Sequence, residues 1–392
     1  MNYSNNQVEK AGEDLKKLAN DKSHKLKVDT LKILTFWRDS YVVALDNAEK
    51  TVKAVMNSSY RNVFIARRIK RADSIIRKLS RFSRMSLKNM QDIGGIRVVL
   101  KNIKDVNRVL SKLKKHSDFC GESGEVRFKN YLENPKPDGY RGIHVIGKFK
   151  NSENILRSVE VQLRTQLQHS WATSIEIVDI FSNNNLKFTN GLDEWARFFK
   201  LVSSQFHYIE SLDSFAKNSQ KDLIEEYLTK ALKNQNIANE CIEIAELFNQ
   251  VLSNHITIEY SFRSFADSIK FIHGELSKKS VQQGFYLLRL NLRTKSVQHE
   301  FFEKKEHSKA SEQYTLYEST LQANPDWIVA LVSSDAVDGI KQAYPNYFAD
   351  SEVFISYVKL IENVARVVYK QRLVASRMKS FLGDKKSLPT SL

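Results

Sequence analysis

Cationic, hydroxyl and carboxylate side chains follow one another along the chain between residues 68 and 176. In chain order the candidates are Arg68, Lys70, Ser74 and Lys78, then Asp92, then Lys129, Lys136, Tyr140 and His144, then Glu160, Gln162 and Arg164. Arginine binds phosphate oxygens in a planar fork and lysine binds them as a point charge. The order of these residues predicts a site that holds a nucleoside triphosphate and its metal.

Asp92 and Glu160 are the candidate metal ligands. Asp92 precedes Gly94-Gly95 and an apolar strand-like run, and Glu160 lies on the polar side of an alternating segment, 159–164. Two carboxylates from neighbouring strands, completed by water and substrate phosphates, suit the octahedral geometry of Mg²⁺. For the isolated pair, an exposed sheet face with a salt bridge from Glu160 to Arg164 is the more ordinary interpretation.

The basic residues are predicted to line one side of a helix from about Tyr60 to Phe82. At about 100° per residue, the apolar side chains fall on one face and the cationic ones on the other. The cationic face holds Arg67, Lys70, Arg71, Ser74, Lys78 and Arg81, and Asp73 is the single acid between residues 61 and 88. Such a face could bind a triphosphate, or it could equally be a stripe that faces RNA or solvent.

A loop rich in proline, glycine, lysine and aromatic residues occupies positions 129–140. Tyr140 follows Gly139, and an aromatic ring on a flexible loop can stack on a nucleobase. His144, in the next strand, could donate a hydrogen bond to a phosphate. The alternative is that Tyr140 only anchors the loop.

These residues are placed by an α+β arrangement that ends near residue 195. Apolar spacing predicts a long helix from about Val28 to Met56, and β-branched runs predict strands. The predicted strands are Gly95 to Leu100, Ile143 to Phe149 and Ser158 to Arg164, with helices at Lys104 to Lys115 and Thr165 to Ile180.

Two further regions complete the predicted fold. Residues 196–280 show helical periodicity, and residues 281–392 read as a small β-β-α-β-α unit with a closing helix at about 351–380. The last helix of that unit is predicted to begin at Asp335 and to end at Pro345. We expect domains at 1–195, 196–280 and 281–392, the last with a candidate regulatory role.

Composition limits the partners and the compartment. The chain has 392 residues and a net charge of +16, which favours polyanionic partners such as nucleotides or RNA, although solubility alone would also explain it. Cys120 and Cys241 lie far apart, so neither a disulfide framework nor a cysteine zinc site is predicted. We expect a cytoplasmic protein with no membrane span.

At the motif level, the sequence resembles the synthetase domain of the RelA/SpoT family, the guanosine tetra- and pentaphosphate alarmone synthetases. The matching motifs are RxKxxxSIxxKL at 68–79, DIGGIR at 92–97, RFKNYLENPKPDGYRGIH at 127–144 and VEVQLRT at 159–165, followed by QHSWA and Glu176. The resemblance covers residues from about 60 to 180. It implies a nucleotidyltransferase-like fold with a mixed sheet flanked by helices.

The resemblance also implies a reaction and a role for each motif residue. ATP would give a pyrophosphoryl group to the ribose 3′-hydroxyl of GDP or GTP with the help of Mg²⁺. Asp92 and Glu160 would hold the metal, and Glu160 would also be the base for the 3′-hydroxyl. Arg68, Lys70, Ser74 and Lys78 would bind ATP phosphates, Tyr140 would bind the acceptor base, and the remaining contacts would come from Lys129, Lys136, His144, Gln162 and Arg164.

Three positions depart from the family pattern, all of them in the acceptor segment. Asn130 replaces a usual aspartate, Asp138 replaces a common asparagine, and Gly142 replaces a usual serine. The identity of the acceptor therefore stays open. It is a guanosine nucleotide in an alarmone synthetase, and an adenosine nucleotide or the CCA end of tRNA in a toxic relative whose C-terminal region would act as inhibitor or sensor. Whether an antitoxin partner exists also stays open. A third alternative is a non-catalytic RNA- or nucleotide-binding module.

The lengths on either side of the motifs predict a synthetase-only type. Roughly 60 residues precede the first motif, too few for the hydrolase domain of the bifunctional members. The region after it is unfamiliar. We expect this C-terminal region to act in regulation or oligomerisation.

Overall fold

The computed structural model describes most of the chain in two compact units. One unit comprises residues 1–135 and 141–166, and the other comprises residues 136–140 and 167–392. The described residues exclude 1–2, 22–23, 25–26, 28, 57–62, 71, 122, 183–191, 218, 250, 254–255, 261, 265, 269, 271–283, 292–293, 295, 307–308, 311, 315, 318–326, 334–346 and 385–392. The predicted domain boundaries at 195 and 280 stay predictions.

A five-stranded mixed sheet forms the centre of the first unit. The strands are β1 (Phe64–Ile69), β2 (Gly94–Leu100), β3 (Phe128–Asn130), β4 (Ile143–Lys150) and β5 (Leu156–Thr165). Their order is β1-β2-β5-β4-β3, with β2 and β5 parallel and the other pairs antiparallel. The three strands expected from the sequence are all present, and the predicted α+β class with a mixed sheet is confirmed.

Helices cover one face of this sheet and build a second small core beside it. The first unit contains α1 (Asn5–Asn20), α2 (Thr30–Asp39), α3 (Val42–Met56), α4 (Ala72–Arg81) and α5 (Ile103–Leu113). Side chains of α3 and α5 join the apolar face of the sheet in one buried cluster. Side chains of α1, α2 and α4 form another. The opposite face of the sheet is left for polar side chains.

The predicted helix from Tyr60 to Phe82 is wrong in its first half. Within the described residues, its beginning is strand β1, and only α4 is helical. Ile65 and Ile69 are four residues apart, a spacing that places two side chains on one face of either a helix or a strand. Pairing of β1 with β2 selects the strand, and Arg67 then reaches Asp46 and Glu49 on α3.

The single helix predicted from Val28 to Met56 is also wrong, because it breaks between α2 and α3. The Ser40 hydroxyl donates to the Trp37 carbonyl over 2.7 Å, and it accepts from Nε of Arg157 over 3.0 Å. The Arg157 guanidinium lies 4.4 Å from the Trp37 ring centroid. The partner that favours the break comes from β5, so the local pattern could not reveal it.

Helix α1 was not predicted, although its start carries a recognisable signal. Ser4 and Gln7 form a capping box, in which each side chain bonds the backbone nitrogen of the other. Asp14, on the same helix, is buried and accepts from the Thr30 hydroxyl over 2.6 Å and from the Lys27 amide over 2.9 Å. These bonds join α1 to the start of α2.

The second unit begins with helices, and the described residues from 196 to 249 are largely helical, as their periodicity predicted. The helices are α6 (Gln166–Ser182), α7 (Leu192–Glu210), α8 (Asp213–Lys217), α9 (Gln220–Lys233) and α10 (Gln235–Asn249). A two-stranded ribbon follows these helices, formed by β6 (Val251–Ser253) and β7 (Ile256–Thr257). The closing helix α11 (Tyr347–Asp384) packs on α7, α9 and α10, and Phe354 contacts Phe198 and Phe206 of α7.

A separate three-stranded antiparallel sheet follows the helices. Its strands are β8 (Gly284–Asn291), β9 (Ser296–Glu303) and β10 (Trp327–Ser333), in the order β10-β8-β9. These are the strands that the sequence predicted, and described residues between 309 and 317 are helical. The helix predicted from Asp335 to Pro345 lies outside the described residues. In the described part of the chain, no helix is both long and apolar enough to cross a membrane.

Candidate functional site

The polar face of the first sheet gathers candidates that are far apart in the sequence. Directly paired residues of neighbouring strands point to the same face. One row across the sheet pairs Arg68 with Gly95 and Gly95 with Glu160. The adjacent row runs through Arg97, Gln162, His144 and Lys129. Strand pairing therefore brings together the separate motifs.

Asp92 lies two residues before β2 and is held between two lysines. Its Oδ2 accepts from Nζ of Lys70 over 2.9 Å and from Nζ of Lys78 over 2.7 Å. Burial acts to raise the pKa of Asp92, but the charges and hydrogen bonds of the two lysines outweigh burial and lower this pKa. Asp92 is thus an ionised carboxylate with two cations beside it.

Backbone geometry explains why Lys70 and Lys78 meet at Asp92. The Lys70 amide donates to the Ile93 carbonyl over 2.7 Å, which extends the pairing of β1 beyond its last residue. Lys78 lies on α4, one turn after Ser74, so that both side chains share a helix face. Helix α4 therefore positions Ser74 and Lys78, whereas Arg68 is positioned by strand β1.

Glu160 lies in a chain of hydrogen bonds along β5. Its Oε1 is 3.0 Å from Nδ1 of His144, and its Oε2 accepts from Nε2 of Gln162 over 2.7 Å. Oε1 of Gln162 in turn accepts from Nη2 of Arg164 over 3.1 Å. Arg164 is thus connected to Glu160 through Gln162.

The same contacts set the charge of Glu160. Burial acts to raise its pKa, but the His144 hydrogen bond and charge, with smaller effects from Gln162 and Lys78, lower the pKa to about 2. Glu160 is therefore ionised at neutral pH. Because Lys78 bonds Asp92 and also influences Glu160, the two carboxylates belong to one electrostatic site.

The described residues suit a divalent metal that would be held by one or two carboxylates and mainly by substrate phosphates and water. Oδ1 of Asp92 is buried and has no hydrogen-bond partner among them. Both candidate carboxylates have lowered pKa values and are therefore ionised, which is the form that binds a metal. No group of three or more His, Cys, Asp or Glu side chains in the described part of the chain could hold a metal. Mg²⁺ commonly takes one or two carboxylates and completes its shell with phosphates and water.

Lys136 and Tyr140 fall in the second unit, in a segment that we call the 136–140 loop. The ammonium of Lys136 lies 4.4 Å from the Tyr140 ring centroid, and the tyrosine is buried. The Trp171 ring of α6 lies 6.5 Å away at a tilted angle. A nucleobase that stacks on Tyr140 would therefore compete with Lys136 for one ring face.

The three departures from the family pattern have local structural explanations. Asn130 accepts from the Leu132 amide over 3.0 Å, and Asp138 accepts from the Tyr140 amide over 2.9 Å, so both close tight turns. Gly142 has a φ of 151°, which a serine would adopt only with strain. In this chain the acceptor segment keeps its shape through these residues.

Sequence reasoning missed Arg97. It is only 4% exposed, and it lies in the row of Gln162 and His144 on the polar face. Alternation along β2 from Gly95 would have placed Arg97 on that face. Arg97 went unnoticed because it stands in an otherwise apolar run.

A family model matches the part of the chain that carries these residues. Residues 67–181 match the family model described as the region found in RelA / SpoT proteins. These residues therefore form a RelA/SpoT region, which confirms the resemblance found in the motifs. The match includes every candidate site residue from Arg68 to Arg164.

The curated relatives of this chain include two GTP pyrophosphokinases. The chain is 33% identical over 126 residues to the GTP pyrophosphokinase YwaC of Bacillus subtilis (strain 168), covering 30% of this chain and 58% of the relative. It is 30% identical over 117 residues to the GTP pyrophosphokinase YjbM of the same organism, covering 28% and 53%. The matched segment thus spans little more than half of these relatives.

Among solved structures, the small alarmone synthetase 2 from Bacillus subtilis is 24% identical with a TM-score of 0.37, covering 46% of this chain and 94% of that chain. The small alarmone synthetase 1 from the same species, bound to its product pppGpp, is 21% identical with a TM-score of 0.40, covering 48% and 99%.

Proposed function

We propose that this protein is a pyrophosphokinase that transfers the β,γ-pyrophosphoryl group of ATP to the ribose 3′-hydroxyl of GDP or GTP and so makes an alarmone. The observation that carries the proposal is the polar sheet face. It combines a lysine-flanked Asp92 with the hydrogen-bonded Glu160 inside a RelA/SpoT region. The expected compartment is the cytoplasm.

In the proposed reaction, the acceptor 3′-oxygen attacks the β-phosphorus of ATP. The bond between that phosphorus and the oxygen bridging to the α-phosphorus breaks, and AMP leaves. Arg68, Lys70, Ser74 and Lys78 are proposed to hold the ATP phosphates, since cationic side chains stabilise the charge spread over the transferred group. On ATP binding, the two lysines would exchange part of their contact with Asp92 for phosphate oxygens.

Asp92 and Glu160 are proposed to hold Mg²⁺, which when bound supplies charge neutralisation at the phosphates. Glu160 is also the proposed acceptor of the 3′-hydroxyl proton. Its pKa of about 2 keeps the carboxylate ionised but makes it a weak base. Any gain in basicity would need a weaker bond from His144, whose Nδ1 faces the same carboxylate.

On the acceptor side, we propose that Tyr140 stacks on the guanine base and that Lys129, Lys136 and His144 contact phosphates. Gln162 and Arg164 are proposed to hold Glu160 in place through the hydrogen bonds along β5. An oligomeric or regulatory role for residues 196–392 stays a prediction.

The direct test is to incubate the protein with γ-labelled ATP and Mg²⁺ and to offer GDP, GTP, adenosine nucleotides and bulk tRNA in turn. Label on GDP or GTP supports the proposal. Label on adenosine nucleotides or tRNA would identify that molecule as the acceptor and refute the guanosine assignment. Transfer to none of them would indicate a non-catalytic binding module.

Substitution of the two carboxylates tests their roles. We expect Asp92→Asn and Glu160→Gln each to lower the transfer rate by more than about tenfold, equivalent to about 1.4 kcal/mol. Glu13→Gln is the matched control, because this carboxylate is 60% exposed and forms a local ion pair with Lys16, three residues away. A smaller loss in either carboxylate variant, with normal folding, contradicts its assignment.

A further inference from the structure

The 136–140 loop connects two strands of the first sheet, yet it packs within the helical unit. It interrupts the connection from β3 to β4, and its residues cluster with α6 and α7. The Ser203 hydroxyl of α7 donates a short hydrogen bond to the Gly139 carbonyl. Ser203 is only 4% exposed, so this bond is shielded from water.

Gly139 allows the loop to lie directly against the helix. A Cβ at this position would be 3.1 Å from Cα of Lys200, 3.3 Å from Cβ of Ser203 and 3.4 Å from the Trp171 ring. The φ of Gly139 is +94°, which other residues rarely adopt. The close approach and the backbone conformation together require glycine there.

Hydrogen bonds inside the loop transmit this attachment to the tyrosine. The Lys136 amide donates to the Tyr140 carbonyl over 3.1 Å, and the Gly139 amide donates to the Lys136 carbonyl over 2.8 Å. The Tyr140 amide donates to Asp138 over 2.9 Å. Movement of Gly139 relative to α7 would therefore also move the Tyr140 ring.

A second contact fixes the helices on which the loop lies. Nε1 of Trp171 donates to the Phe199 carbonyl over 2.8 Å, and the two rings meet edge to face at 6.0 Å. Helix α6 continues directly from β5, the strand of Glu160, so Trp171 is linked by the backbone to the catalytic strand. Helix α7 thus meets the 136–140 loop both directly and through Trp171.

We propose that α7 sets the affinity for the acceptor nucleotide by holding the 136–140 loop, and that Ser203 is a positioning residue for a guanosine nucleotide. The inference rests on the proposed function, because it assigns the acceptor base to Tyr140. It gives the helical region, for which the sequence offered no chemistry, a defined role in acceptor binding.

The test compares Ser203→Ala with Ser204→Ala in the full chain. Ser204 is the next residue on α7 and is half-buried. Its variant keeps Ser203 and therefore keeps the bond to Gly139. Two quantities are measured: amide hydrogen exchange in the 136–140 loop, and equilibrium binding of GDP and of a non-hydrolysable ATP analogue by calorimetry. Thermal unfolding establishes that both variants fold.

We expect Ser203→Ala to accelerate exchange in the loop and to weaken GDP binding about fivefold, the typical effect of one lost hydrogen bond. The affinity for the ATP analogue should stay unchanged, and Ser204→Ala should match the wild type in every measurement. A Ser203→Ala variant that does not fold is replaced by Ser203→Thr, which keeps the hydroxyl but adds a methyl beside Gly139 and should also weaken GDP binding.

The inference is overturned if exchange and GDP affinity in the Ser203 variant equal those of the wild type, or if the wild type does not bind GDP. Equal weakening of the ATP analogue would also overturn it, since that result indicates general damage. Because binding is measured without turnover, a wild type that binds GDP but transfers no label refutes only the proposed function.

Discussion

The two adjacent glycines that begin β2 should have separable roles, one in packing and one in the site. A Cβ on Gly94 would lie 3.0 Å from Cδ1 of Tyr41 and 3.3 Å from Cγ of Leu45, both of which are buried. A Cβ on Gly95 would have its nearest neighbours at 3.8 and 3.9 Å, the Glu160 carbonyl and Arg68. The contacts at Gly94 are tight enough that Tyr41 or Leu45 would have to shift by a few tenths of an ångström, whereas those at Gly95 are ordinary van der Waals contacts.

These distances give opposite expectations for stability. Gly94→Ala should lower the free energy of unfolding by about 1–3 kcal/mol, the usual cost of overpacking a rigid core. Gly95→Ala should leave it unchanged or raise it by up to about 1 kcal/mol, because alanine loses less backbone entropy in a strand. The measurement is urea unfolding followed by tryptophan fluorescence, to which the buried Trp37 beside Tyr41 contributes.

Activity should follow the opposite order. The new methyl of Gly95→Ala would lie on the polar face between Arg68 and Glu160, so we expect label transfer to fall by at least about tenfold. The folded fraction of Gly94→Ala should transfer label at close to the wild-type rate. The reasoning is refuted if Gly95→Ala is the less stable variant, or if it keeps full activity.

Two further expectations concern stability and thiol chemistry. Asp14→Asn should cost about 1–3 kcal/mol at pH 7, since its buried carboxylate accepts bonds from Thr30 and the Lys27 amide. Burial acts to raise the pKa of Asp14, but these bonds and His24 lower it to about 2 from 3.8, so its contribution should be complete above about pH 4 and disappear as the pH falls towards 2. Urea unfolding at pH 7 and pH 3 checks both statements, and an unchanged difference between wild type and variant would contradict the second. In thiol labelling of the native protein, Cys120 should react before Cys241, because Cys241 is buried and burial raises its pKa to about 11; equal rates would indicate that the helical unit opens.

Local sequence patterns predicted much of the structure of the first unit. Alternation in 159–164 correctly placed Glu160, Gln162 and Arg164 on one face. The strands and the polar loop were also recognisable, because β-branched runs and glycine or proline turns have local causes. The order of the motifs is sufficient to identify the RelA/SpoT region.

The errors arose where tertiary contacts outweighed local periodicity. The segment 64–69 has a spacing that fits helix and strand, and pairing with β2 decided the outcome. The break at Ser40 depends on Arg157, which is distant in the sequence. A window of neighbouring residues contains neither partner, so no local propensity could have supplied the answer.

The sequence by itself determined which chemical groups are present and in what order: the cations, the two carboxylates and the tyrosine loop. Only the tertiary structure decided that Lys70 and Lys78 both meet Asp92, that His144 lowers the pKa of Glu160, and that the 136–140 loop lies on α7. The physical reason is range. Residue type and alternation act over a few positions, whereas charge pairing and close packing join groups that the chain brings together only when it folds.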